Sequence, residues 1–139
     1  MKRTAYMITA LAAVLLLAMV PAYAQQTSAR VNIPFGFTVD DVRMPAGEYL
    51  ITAPSEKVIN IQRVGGAEVK ATITNTNGPQ KWNGRPKLVF RHYGSLYFVA
   101  TAWLPNSDHA HEFFTSATEI EVARNTKQQT VELAMNIAK

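Results

Sequence analysis

Asp108-His109-Ala110-His111-Glu112 is the stretch of this chain whose residue types and spacing fit a metal site. In extended backbone, side chains two apart point the same way, so His109 and His111 can present two imidazoles to one Zn²⁺ or Cu²⁺ ion. A catalytic zinc takes three protein ligands and keeps one position open, and the third would be Asp108, Glu112 or a distant residue. A bare His-x-His spacing is a weak signal, and the competing reading is two solvated loop histidines. His92 is a poor third ligand, because counting along its hairpin places it at the other end, beside Tyr97.

The second candidate is aromatic. Trp82 stands in the polar segment Asn75 to Pro86, with Arg85 close by. A tryptophan in such a loop can stack on a sugar ring or anchor a protein partner, so Trp82 and Arg85 are candidate ligand-binding residues. The competing reading folds Trp82 back over the edge of the core. Catalytic constellations are thin. No G-x-S-x-G elbow occurs, no Gly-rich phosphate loop opens a helix, and the carboxylates are scattered singly. Glu48, in Met44-Pro-Ala-Gly-Glu-Tyr-Leu-Ile51, has no acidic or histidine neighbour. Pro45 and Gly47 suit a tight turn there, so the stretch reads as a turn rather than an active-site loop. No cofactor is implied.

The ends and the composition say where these residues are displayed. Lys2 and Arg3 precede an apolar run, Ile8 to Val20; Pro21 breaks it and Ala22-Tyr23-Ala24 follows. That order is a secretory signal with cleavage after Ala24, leaving Gln25 to Lys139 as a single domain. The apolar run is short for an anchor of about 20 residues, so no membrane span is expected after cleavage. There is no cysteine, hence no disulfide and no thiol chemistry, although an oxidising compartment would permit bridges. The formal charge of +4 falls to +2 when Lys2 and Arg3 leave, and no basic block remains of the kind nucleic acid requires. With no Asn-x-Ser/Thr sequon, the expectation is a bacterial protein, periplasmic or secreted.

Strands must position the candidates. Val31, Ile33, Phe35, Phe37 and Val39 alternate with polar or small residues, which predicts one half-buried strand, kinked or at an edge where Pro34 lacks an N–H. Asp40-Asp41 reads as a turn, Val42 to Met44 as a short extended piece, and Glu48 to Thr52 as a strand with Tyr49 and Ile51 on one face. Gly65-Gly66 closes a hairpin of Val58–Val64 with Ala67–Thr74, placing Arg63 opposite Glu68 and Val58 opposite Ile73. Gly94-Ser95 closes a second hairpin, Lys87–Tyr93 with Leu96–Leu104. Its simple register puts Leu88, Phe90, His92, Tyr97, Val99, Thr101 and Trp103 on one face. Both faces are largely apolar, so this hairpin is expected to be central and covered on both sides. Ser116 and Glu119 have capping-box spacing, which predicts a helix from Ala117 to about Lys127 with Ile120 and Ala123 facing inward. Thr130 to Ile137 alternates as a last strand.

Seven or eight short strands with one short helix before the last argue an all-β fold, a small antiparallel sandwich or flattened barrel. Both long connections, 75–86 and 105–115, join the central hairpin at the end opposite Gly94-Ser95. If the first hairpin runs alongside, the turn Ala53 to Lys57 joins them at one pole.

Ile33-Pro-Phe-Gly-Phe-Thr-Val39, Met44-Pro-Ala-Gly-Glu-Tyr49 and Leu88-Val-Phe-Arg-His-Tyr-Gly-Ser-Leu-Tyr-Phe-Val99 resemble the motifs of a group of short exported proteins abundant in Acidobacteria. The similarity runs from Val31 to about Arg124, with Met44 where the group often has leucine. The resemblance implies a secreted β-rich domain and carries over no catalytic residue. The function expected is a non-enzymatic envelope-associated or extracellular interaction module with a protein or glycan partner. The alternative is a small-ligand binder, for glycan or divalent metal, using loops 75–86 and 105–115; a metal-dependent enzyme is the third reading.

Overall fold

The structure is a computed structural model that describes residues 28–77, 84–105 and 107–138. The expected signal segment and Trp82 lie outside these residues. Strands β1 (Ser28–Ile33), β2 (Phe37–Val39), β3 (Val42–Met44), β4 (Gly47–Ser55), β5 (Val58–Arg63) and β6 (Val69–Asn77) fill the first half. Strands β7 (Lys87–Tyr93), β8 (Leu96–Trp103) and β9 (Ala110–Phe113), helix α1 (Ala117–Ala123), β10 (Gln129–Ala134) and β11 (Asn136–Ile137) follow.

All eleven strands join one mixed sheet that folds over itself. Along it the order is β10-β7-β8-β9-β6-β5-β4-β1-β11, with the β2–β3 hairpin attached to β8. Two segments turn the corners. Residues 69–73 of β6 ladder with β5, whereas Thr74–Asn77 ladder with β9. Residues 129–137 do the same on the opposite side: β10 pairs with β7, and β11 pairs with β1. Between these two, buried Met135 donates its N–H to the Pro86 carbonyl at 3.0 Å. Strands that switch layers in this way fold one open mixed sheet into the two layers of an all-β fold. Among the described residues no helix is long and apolar enough to cross a membrane.

Period-two alternation produces the core. Ile33, Tyr49, Ile51, Ile59 and Ile61 come from one layer, and Phe37, Leu88, Phe90, Val99 and Leu104 from the other; all are buried. The Phe37 ring contacts Tyr49 at 5.1 Å and Phe90 at 5.7 Å between centroids, both edge to face. The Tyr49 hydroxyl donates to the Pro45 carbonyl, so the tight Pro45–Ala46 link between β3 and β4 is closed over by the tyrosine of β4.

Strand pairing follows the hairpin counting closely in one case and departs from it in another. Val58 faces Ile73, and Arg63 meets Glu68 through a backbone bond of 2.9 Å and an ion pair of 3.3 Å. Only Gly65 of the glycine pair has positive φ, at 75°. In the β7–β8 hairpin, Phe90 faces Val99 but Val89 faces Thr101, so Ala100 has no partner on β7 and forms a bulge. The extra residue moves Thr101 and Trp103 off the Phe90 face and turns Ala102 inward opposite Leu88. The hairpin is covered on both sides, with Phe90 and Val99 buried on one and Tyr93 and Phe98 on the other.

Other elements are shorter than the sequence alone suggests. Pro34 divides 31–39 into β1 and β2, which lie in different layers, and Met135 divides the last strand. With β9, these divisions raise the strand count above the seven or eight expected. The helix stops at Ala123, and Ile120 is 49% exposed rather than inward. Ser116 caps the Glu119 N–H at 3.2 Å, as expected, but the Glu119 side chain is drawn inward instead. It takes hydrogen bonds from Arg91, one of them 3.1 Å, and from the Tyr93 hydroxyl at 3.2 Å. That carboxylate, 1% exposed, sets the roll of the helix.

Candidate functional site

The histidine pair is built by β9. His111 lies opposite Thr76 of β6 and Ala102 of β8, so it is a strand residue between two neighbours and only 2% exposed. It is therefore not a solvated loop histidine. Its Nδ1 is 3.2 Å from the Thr74 hydroxyl. Burial, then the nearby His109, lowers its pKa from 6.5 to about 4, which leaves the ring neutral at pH 7. His109 precedes the strand on the β8–β9 connection, and its Nδ1 is 2.9 Å from an Asp108 oxygen. The Asp108 carboxyl is held below the usual carboxylate range by that hydrogen bond. The two imidazole centres are 5.0 Å apart.

A pocket of about 260 Å³ opens beside them, lined by Ala53 and Ser55 at the end of β4, by Glu56 of the β4–β5 turn, and by Leu104 and Ser107 to His109. Two of the three connections expected at one pole thus meet. Arg85, exposed just before β7, is at the same end, since Lys87 pairs with Trp103. His92 stacks on Tyr97 at the opposite end. Among the described residues, no group of three His, Cys, Asp or Glu side chains gathers to hold a metal.

A larger cleft, about 440 Å³, lies along β6. It exists because the seam between the layers is sealed over only half its length. β9 fills the space between β8 and β6 as far as Phe113, and then the chain leaves for the helix. Beyond that point Val69–Ile73 pairs with β5 and has no strand on its other side among the described residues. The direction of its backbone groups follows from two bonds: the Arg63 N–H to the Glu68 carbonyl, and the Thr74 N–H to the Lys57 carbonyl. Even-numbered residues of β6 therefore face β5, and Val69, Ala71 and Ile73 direct their N–H and C=O groups into the open seam.

The walls of this cleft are Phe98, Val99, Phe113 and Phe114, with Thr38 and Asp40 from the β2 end and Glu119 inside. Its far wall, the β2–β3 hairpin, turns through Asp40 and Asp41, both with positive φ, as a type I′ turn demands. Asp40 reaches across to Lys70 of β6 at 3.2 Å. Asp41 is tied to the helix start, where hydrogen bonds with Thr118 and then Ser116 hold its carboxyl below the usual range. Around the mouth, Val69 is 59%, Ile73 64% and Phe114 58% exposed.

Sequence reasoning missed this cleft. Its apolar alternation, Val69-x-Ala71-x-Ile73, was legible, but which side of β6 lacks a neighbour is a tertiary property. No family model, curated protein or solved structure matches the chain.

Proposed function

We propose that this chain is an exported, non-enzymatic interaction module that takes an extended segment of a partner protein along the open edge of β6. The observation that carries the reading is the outward-facing backbone of Val69, Ala71 and Ile73 beside an aromatic-walled cleft. An unpaired edge offers main-chain hydrogen bonds to any extended peptide, and pockets for alternate side chains select among them. Here one face of the incoming strand enters between Phe98 and Phe113, and the other lies against Val69, Ile73 and Phe114. Asp40, paired with Lys70, closes one end of the cleft. The buried carboxylate of the cleft, Glu119, is neutralised by Arg91 and serves the fold rather than a reaction. The Lys2-Arg3 start, apolar run and Ala22-Tyr23-Ala24 site support export.

The test is a displayed-peptide library selected against the purified protein. Selected peptides should lose binding to Ala71→Pro, which deletes an outward N–H, and to Ile73→Asp. They should also slow amide exchange at Val69, Ala71 and Ile73. Peptides that bind both variants as well as the parent would refute the reading.

A further inference from the structure

We propose that His109 and His111 form a binding site for a divalent transition metal of the imidazole-preferring class, with Cu²⁺ the tightest member. The site is separate from the β6 edge.

Three features of the pair argue for it. First, both Nδ1 atoms are already engaged, His109 by Asp108 at 2.9 Å and His111 by Thr74 at 3.2 Å. That leaves the two Nε2 atoms as the metal-facing nitrogens. A carboxylate on the rear nitrogen is the arrangement that orients a ligand histidine and raises its basicity. Second, the spacing fits. Metal–nitrogen bonds of about 2.0–2.1 Å in a tetrahedral site put two imidazole centres about 5 Å apart, and these centres are 5.0 Å apart. Third, the pair borders an open pocket rather than packed core. β9 holds His111 between two neighbouring strands, so one ligand is rigid before any ion arrives.

The protein supplies two ligands, and water or a donor from outside completes the shell. Glu56 lines the same pocket from the β4–β5 turn, but no third His, Cys, Asp or Glu side chain among the described residues gathers with the pair. Imidazole nitrogen suits Cu²⁺, Ni²⁺ and Zn²⁺, and their affinities at one site follow the order in which Cu²⁺ stands highest.

The experiment is titration of the purified protein with Cu²⁺, followed by calorimetry and by electron paramagnetic resonance. One equivalent should bind, with hyperfine structure from two nitrogens. His109→Ala removes a ligand while leaving β9 and its buried contacts in place, and should weaken binding more than tenfold. Asp108→Asn removes only the rear carboxylate and should weaken it about tenfold. His92→Ala, at the opposite end, should change nothing. Equal affinity in the parent and His109→Ala, or a spectrum without two equivalent nitrogens, would overturn the proposal.

Discussion

Arg91 of β7 and Glu119 of α1 form a two-pronged ion pair across 28 residues of chain, with the carboxylate 1% and the guanidinium side chain 18% exposed. Burial disfavours the arginine's charge, but the hydrogen bond and charge of Glu119 outweigh it and raise its pKa above the ordinary value. This pair, not an apolar helix face, docks the helix on the outer side of the β7–β8 hairpin. Ile120 is left in solvent as a result.

Removing one partner should therefore cost more than removing both. Glu119→Ala leaves the guanidinium uncompensated and should destabilise the fold by about 3 kcal/mol. The double variant Arg91→Met/Glu119→Leu should fall within about 1 kcal/mol of the parent, since well-packed apolar replacements of buried pairs are often neutral. Urea unfolding of the parent, Glu119→Ala and the double variant measures the difference. A Glu119→Ala cost no larger than that of the double variant would show that the pair is not the docking contact.

The backbone of β6 gives a sharper positional expectation. Thr72→Pro removes an N–H bonded to β5 and should cost about 2–3 kcal/mol from the lost bond and the carbonyl left unpaired. Ala71→Pro removes an N–H that faces the open seam and should stay within about 1 kcal/mol of the parent. Thermal unfolding of the two variants decides it, and reversed costs would mean that the register is shifted by one.

The Pro45–Ala46 link is held by the Tyr49 hydroxyl. Tyr49→Phe keeps the buried ring and loses only the bond to the Pro45 carbonyl, for an expected loss of about 1 kcal/mol. Denaturant midpoints at unchanged slope would confirm that stability, and not compactness, has changed.

Asp41 ties the β2–β3 hairpin to the helix, and its carboxyl titrates below the ordinary 3.8 because Thr118 and Ser116 hydrogen-bond to it. A depressed folded-state pKa means the tether contributes above pH 3.8 and is lost as pH falls through the lower, folded value. A carbon-detected titration should place Asp41 below 3.8 in the parent and closer to 3.8 in Thr118→Val. Amide exchange in β2 and β3 should quicken over the same acid range.

Local patterns made much of the fold legible. Glycine and Asp-Asp turns located the hairpins, and alternation grouped Ile33 with Phe37, Tyr49 with Ile51 and Phe90 with Val99 on shared faces. Three features were hidden for physical reasons. A bulge at Ala100 leaves no local signature, because it is a mismatch between two strands and not a property of one residue. The diversion of Glu119 from its capping role depends on Arg91, which is remote in sequence. The histidine spacing was visible, yet the burial of His111 follows from β6 and β8 lying on both sides of β9.

Residues 129–137 zip onto β7 and then, past Met135, onto β1, so one short ribbon fastens both margins of the sheet. Until that ribbon pairs, β7 and β1 each keep an open edge. Its β11 end pairs with the strand that begins the described fold, so this closure joins residues about a hundred positions apart, and such contacts form slowly. The two margins of the sheet are thus completed by one segment, and its loss would expose β7 and β1 together.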